Sequence, residues 1–299
     1  MIATVVLAAW TSAQSPLPVV RVEPSVVPDG SPVLVVVCAP GRIEGRFENQ
    51  PLRFRGDTQA STAALDRPRQ TALAAIPYAA KPGPREVVVR ITHAGQTQIH
   101  HAPFTVVSGN YPTSIVVTPP RSKATLIAAG AEPHRKNAPP LPRAEPGSFS
   151  RALASNTKAR LWRGRFLRPV ITTVTEPYGT SRLNIRGRRK WRSTHLALDL
   201  DGQGGEPVLA SNGGVVVAAG HYPGSGNTVI IDHGDRLLSL HFHNDRLHVK
   251  RGDRVKRGTA IADVGATGRV TGPHLHLEIR LNGHRVSPES LIDLIPPEK

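Results

Sequence analysis

The chain has 299 residues, enough for two ordinary domains that each bury a core. Its 38 Lys and Arg against 22 Asp and Glu leave a formal charge of +16, which favours polyanions in general: nucleic acid, anionic lipid or bacterial cell wall. Aromatics at 4% offer little stacking for single-stranded nucleic acid, a single cysteine excludes an intrachain disulfide and any Cys-rich zinc site, and 28 prolines with 27 glycines favour short strands over long helices.

Residues 1–15, "MIATVVLAAWTSAQS", carry a short apolar run followed by small residues and read as an export signal, although no Lys or Arg precedes the run. No later run reaches the roughly 18 apolar residues that a bilayer span needs. Residues 16–108 contain short β-branched stretches, among them "SPVLVVVCAP", "REVVVRITHAG" and "HAPFTVVSG", separated by Pro-Asp-Gly and Pro-Gly-Pro turns. That spacing predicts a small antiparallel, Ig-like β-sandwich. Cys38 falls inside an apolar run and reads as a buried, inert thiol. His100 and His101 are adjacent, so on a strand they face opposite ways and cannot share a metal. The domain therefore reads as a non-catalytic binding or spacing module.

Residues 109–165 change character. Seven prolines between Pro119 and Pro146, mixed with Arg, Lys, Ala and Ser, forbid a continuous helix and predict an extended basic connector, with local helix around Ser150–Leu161. Residues 166–299 return to alternating strands and turns, so the whole chain reads as all-β: an N-terminal sandwich, a Pro-rich connector and a C-terminal antiparallel sheet.

Nine of the 13 histidines lie between His195 and His284. "THLALDL" sets His195 and Asp199 four apart, with one parity; "SLHFH" sets His241 and His243 two apart; "GPHLHLEI" alternates His274, His276 and Glu278 against Leu275, Leu277 and Ile279. A catalytic zinc takes three protein ligands and keeps a fourth position for water. His195 and Asp199 could supply two of the three, and one His-x-His pair the third from a neighbouring strand. Spacing alone does not choose between the two pairs, and either could be ordinary surface.

The ordered blocks "THLALDLDG", "GEPVLASNGGVVV", "GNTVIIDHG", "LLSLHF", "VKRGDRVKRGTAIADVGATG" and "TGPHLHLEI" resemble the lysostaphin-type (LytM-like) zinc metallopeptidases, which cleave peptides of bacterial peptidoglycan. The resemblance runs from about Phe166 to Leu291. It implies a Zn2+ cofactor held by His195, Asp199 and His276. It also implies flanking catalytic histidines at His274 and His241, leaving His243 without a role. Two positions depart from the family pattern: Ala197 stands where glycine is usual, and Ser239 where a tyrosine often precedes the catalytic histidine by two residues.

The resemblance further implies a zinc endopeptidase acting on peptidoglycan cross-links or stem peptides, exported to the periplasm or cell envelope. Its alternative is a non-catalytic, wall-binding regulator that activates another cell-wall hydrolase. Retention of all five residues favours catalysis, because a regulator has no need of them. Specific nucleic-acid binding, driven by charge alone, is the weakest of the three readings. Glu278 is expected either to orient a ligand or to be ordinary surface. The basic run Arg182–Arg192 either guides the site onto an anionic wall or is a solvated loop.

Overall fold

The computed structural model describes residues 17–56, 68–117, 141 and 143–295. The expected export signal at 1–15 and most of the proline cluster lie outside the described residues. The described chain is all-β, with two short helices at Ser148–Leu153 and Pro288–Leu294.

The N-terminal region is a two-sheet sandwich. One sheet orders Val19–Glu23, Pro32–Cys38, Arg69–Ala75 and Arg55–Gly56; the other orders Val26–Pro28, Gln96–Val107, Gly83–His93, Arg42–Phe47 and Gln50–Leu52. Pairing is antiparallel except where Val26–Pro28 runs parallel to Gln96–Val107. Every residue of Pro32–Cys38 is buried, because the strand has a core on each face. Val33, Val35 and Val37 point into the sandwich with Phe47, Val89 and Phe104. Leu34, Val36 and Cys38, joined by Leu73 and Ala75, point outward into a second core shared with Trp162, Phe166, Leu198 and Leu275. The unbroken apolar run "VLVVVC" is the sequence counterpart of that double burial, and Cys38 is a buried free thiol as expected.

The C-terminal region is built on a sheet ordered Val174–Glu176, Leu198–Asp201, His274–Leu281, Leu237–Asn244, Gly226–Asp232, Gly214–Tyr222 and Arg254–Val255, with His284–Val286 added alongside His274–Leu281. A hairpin of Ser181–Arg186 and Arg189–Thr194 lies beside it. Thr113–Val117, within the stretch expected as connector, pairs parallel to Ser181–Arg186. The far end of that stretch is also packed. The helix expected around Ser150–Leu161 spans Ser148–Leu153, and Phe149 stacks edge-on against Tyr222 at 5.3 Å. It stops there because the chain turns inward to reach Asp232.

Asp232 is buried in the sheet. Its Oδ2 accepts from Ser155 Oγ (2.6 Å), Thr157 N (3.1 Å) and Thr157 Oγ1 (2.8 Å), and its Oδ1 accepts from Gly234 N (2.8 Å). Burial pushes its pKa up, but the bonds from Ser155, Gly234 and Thr157 outweigh that and hold it below the usual carboxylate range. A depressed folded-state pKa stabilises the fold above the unfolded value of about 3.9, and this contribution is lost as pH falls toward the folded value. Asp232→Asn is therefore expected to melt lower at pH 7, by about 1–3 kcal/mol. Its melting temperature should also fall less steeply than wild type between about pH 5 and 3. Parallel slopes in thermal melts across that range would remove Asp232 from the acid response.

No helix among the described residues is long and apolar enough to cross a membrane.

Candidate metal centre

Asp199 and His276 are direct cross-strand partners, so their side chains leave the same face of the sheet side by side. His195 lies just before the strand Leu198–Asp201, and its backbone is held from both directions: His195 N donates to Thr180 O at 2.9 Å and Gly179 N donates to His195 O at 2.7 Å. One oxygen organises the cluster. Asp199 Oδ1 is 2.7 Å from His276 Nδ1 and 3.2 Å from His195 Nε2, and those two nitrogens are 3.2 Å apart. The three ligand atoms thus lie within the span that one metal ion would bridge. Burial raises the Asp199 pKa, but hydrogen bonds and charge from His195 and His276 prevail and keep it well below the usual range. Two imidazole nitrogens and one carboxylate oxygen are a donor set suited to zinc. The residues fit the ion.

His274 and His243 flank this cluster. His274 Nε2 is 3.9 Å from Asp199 Oδ1, and the His243 ring centroid lies 5.1 Å from that of His274 and 5.7 Å from that of His276. Each uses Nδ1 on a backbone carbonyl, His274 on Gly272 O at 3.0 Å and His243 on Thr267 O at 2.9 Å. A carbonyl only accepts, so Nδ1 carries the proton and, in the neutral ring, Nε2 keeps its lone pair. Burial pushes the His243 pKa down to about 4, helped by His274 and His276 and opposed by the Thr267 carbonyl and Asp199. Phe242 lies flat against His276, 5° from parallel at 5.2 Å, and fixes the plane of that ring.

His241, expected as a catalytic residue, does not join this group. It pairs in register with Leu277, whose side chain points to the opposite face from His276, and it is fully buried there. Burial, aided by His233, pushes its pKa down to about 3, against the Val229 carbonyl. His243 occupies the place expected of His241. Two residues apart on a regular strand would mean one face, but His243 has φ 66°, a left-handed conformation that breaks the alternation and turns its ring toward the cluster. The conformation is held by His243 N donating to Ser225 O at 2.9 Å as well as by the Thr267 contact. The turn presenting Ser225 needs Gly226, at φ 66°, because a Cβ there would meet the Thr267 carbonyl carbon and oxygen at 2.4 and 2.3 Å.

Ala197 is buried with a φ outside the left-handed region, so its methyl carries no backbone strain. Ser239 faces away from the cluster, with Oγ 2.8 Å from His233 Nε2. With His243 at the site, the residue two positions earlier is His241 rather than Ser239. Glu278 is buried and paired with Arg280 and Arg285, and touches neither candidate ligand histidine. The basic run forms the hairpin, with Arg188, Arg189, Lys190 and Arg192 exposed and Arg182 turned inward to Glu176 and Asp199.

Residues 193–288 match the family model Peptidase family M23. The chain is 45% identical over 83 residues to Peptidoglycan DD-endopeptidase ShyA of Vibrio cholerae, covering 28% of this chain and 19% of that protein. It is 34% identical over 152 residues to Murein hydrolase activator NlpD of Salmonella dublin, covering 50% of this chain and 36% of that protein. The chain thus spans well under two thirds of either relative. A crystal structure of a putative peptidase M23 from Pseudomonas aeruginosa aligns over 87% of this chain and 92% of that one, with TM-score 0.57 and 24% identity, which shows a shared fold.

Proposed function

With residues 193–288 a domain of peptidase family M23, we propose that this protein is a zinc metalloendopeptidase hydrolysing peptide bonds of bacterial peptidoglycan in the cell envelope. His195, Asp199 and His276 hold the ion, and His243 and His274 move protons beside it. The observation that carries the reading is the convergence of His195 Nε2, Asp199 Oδ1 and His276 Nδ1 within reach of one ion, between two further imidazoles.

A zinc ion bound there supplies Lewis acidity: it lowers the pKa of a water to about 7 and polarises the scissile carbonyl. The chain's own residues do the rest. His243 and His274, each anchored by Nδ1 to a carbonyl, offer an Nε2 that can take a proton from the attacking water and return it to the leaving amine. Protonated, the same ring donates a hydrogen bond to the developing oxyanion. The exposed arginines of the hairpin give the approach a positive field suited to an anionic wall polymer.

A second reading, a regulator that activates another hydrolase, is supported by the likeness to the activator NlpD. One experiment separates the two. Purified peptidoglycans are incubated with zinc-loaded protein, with protein plus chelator, and with His276→Ala, and the released fragments are analysed by mass spectrometry. The expected result is new peptide termini that vanish in both controls. Folded, zinc-loaded protein that releases nothing from several wall chemotypes, yet stimulates an added hydrolase, would establish the regulator instead.

A further inference from the structure

Behind the three candidate ligands lies a pair of side chains with no place in the reaction so far. Glu176 stands directly opposite Asp199 in the ladder between Val174–Glu176 and Leu198–Asp201. Two like charges in that relation repel. Arg182, reaching in from the hairpin, sits between them. Its Nε is 2.8 and 2.9 Å from the two Glu176 oxygens and its Nη2 also bonds Glu176 Oε2, while Nη2 reaches Asp199 Oδ2 at 3.3 Å. The side chains are 27%, 18% and 11% exposed for Arg182, Glu176 and Asp199, so solvent screens the group only partly. Ser114, on the added strand Thr113–Val117, donates to Glu176 Oε1 at 3.2 Å.

The two Asp199 oxygens are therefore divided. Oδ2 is taken by Arg182, and Oδ1 faces His195 and His276. The far side of His195 tells the same story. Its Nδ1 is buried without a hydrogen-bond partner, and Glu176 Oε2 is 3.9 Å away. A metal-bound histidine ordinarily gives its second N–H to such a carboxylate, which fixes its tautomer and ring plane.

We propose that Glu176 and Arg182 are positioning residues for the metal centre: Arg182 makes Asp199 offer a single oxygen, and Glu176 both holds Arg182 and faces the Nδ1 of His195. The inference rests on His195, Asp199 and His276 being the zinc ligands. Glu176→Gln leaves the arginine charge uncompensated beside the cation and weakens the acceptor for His195, two losses of the same sign. Arg182→Gln frees Oδ2, so Asp199 can chelate with both oxygens.

The test uses the full chain as wild type, Glu176→Gln, Arg182→Gln and Arg188→Gln, the last removing an exposed arginine of the same hairpin that touches none of these groups. Zinc affinity is read by competition with a chromophoric chelator, coordination by the visible absorption of the Co2+ form, and folding by metal-free melting. Glu176→Gln is expected to bind zinc about 10–100-fold more weakly. Arg182→Gln is expected to bind with a cobalt band reduced by roughly half or more, as coordination rises from four to five. Arg188→Gln should match wild type in both. Unchanged affinity in Glu176→Gln together with an unchanged cobalt spectrum in Arg182→Gln overturns the proposal while the metal centre stands. A wild type that takes up no zinc removes the metal centre and the proposal together. If one variant fails to fold, the other decides.

Discussion

Replacing His243 with alanine is expected to lower kcat for peptide release by about 10²–10⁴-fold while zinc stays bound, the usual contribution of a positioned acid–base group. Replacing His241 is expected to do the reverse: activity per folded molecule stays within a few-fold, and stability falls by about 2–4 kcal/mol as a buried ring leaves a cavity. The contrast follows from the left-handed residue at His243, which sends two histidines two apart to opposite sides of the sheet. Steady-state kinetics, zinc content and melting temperature on both variants decide the matter. An inactive, folded, zinc-loaded His241→Ala beside an active His243→Ala would return the catalytic role to His241.

That displacement marks where the sequence stops being legible. Asp199 and His276 sit on regular strands, whereas His195 lies on irregular backbone just before one, and the family resemblance rather than spacing selects His276 among the His-x-His pairs. In "HLHLEI" polar and apolar residues alternate, and a strand turns that alternation directly into a shared face, on which His276 lies opposite Asp199 of the neighbouring strand. "SLHFHND" carries the same spacing, but its last histidine sits at a positive φ that nothing at that position announces, since neither glycine nor asparagine occupies it. The conformation is imposed from outside, by Ser225 and Thr267, 18 and 24 residues away along the chain and brought to His243 by tertiary packing. The one local hint is Asn244–Asp245 directly after it, a turn-forming pair that shortens the strand. Arg182 and Glu176 were hidden for a related reason. Among so many basic residues, an arginine that turns inward looks like one that does not.

The sandwich was equally legible in kind and illegible in its use. "VLVVVC" lacks alternation, which signals a strand buried on both faces, but no pattern says what covers the second face. The covering element is the C-terminal region itself. Leu34, Val36 and Leu73 enter one core with Trp162, Phe166 and the sheet residues Leu198 and Leu275, and Arg160 ties the two regions by donating to Thr71 Oγ1 at 2.9 Å and to Asp235 at 3.0 Å. A spacing module would be dispensable; a shared core is not.

Trimming the chain to residues 166–299 is therefore expected to destabilise it severely. The cut removes Leu34, Val36 and Leu73, whose burial is worth about 1.5–3 kcal/mol each, an upper estimate because unfolded chains already bury some surface. It exposes their apolar partners in the sheet at the same time. It also removes the Ser155 and Thr157 donors to Asp232 and leaves that carboxylate with Gly234 as its remaining donor among those described above. Against a total stability of about 5–15 kcal/mol, those losses are of the same order as the whole. The fragment should bind a hydrophobic dye, lose its cooperative melt and release no peptides. A fragment restored to residue 143 recovers the Asp232 bonds, Trp162 and the helix, but not the sandwich side of the core, and should melt between the two. If 166–299 melts within a few degrees of the full chain, the packing of the sandwich contributes nothing to the peptidase region. In the intact protein, Val36→Asp puts the same interface to the test without a cut. A charge at a position fully buried against the sheet, on a strand whose other face still packs the sandwich, should separate the regions while leaving the sandwich core of Val33, Val35 and Val37 in place. Limited proteolysis of that variant is then expected to cut between the two regions before it cuts within either.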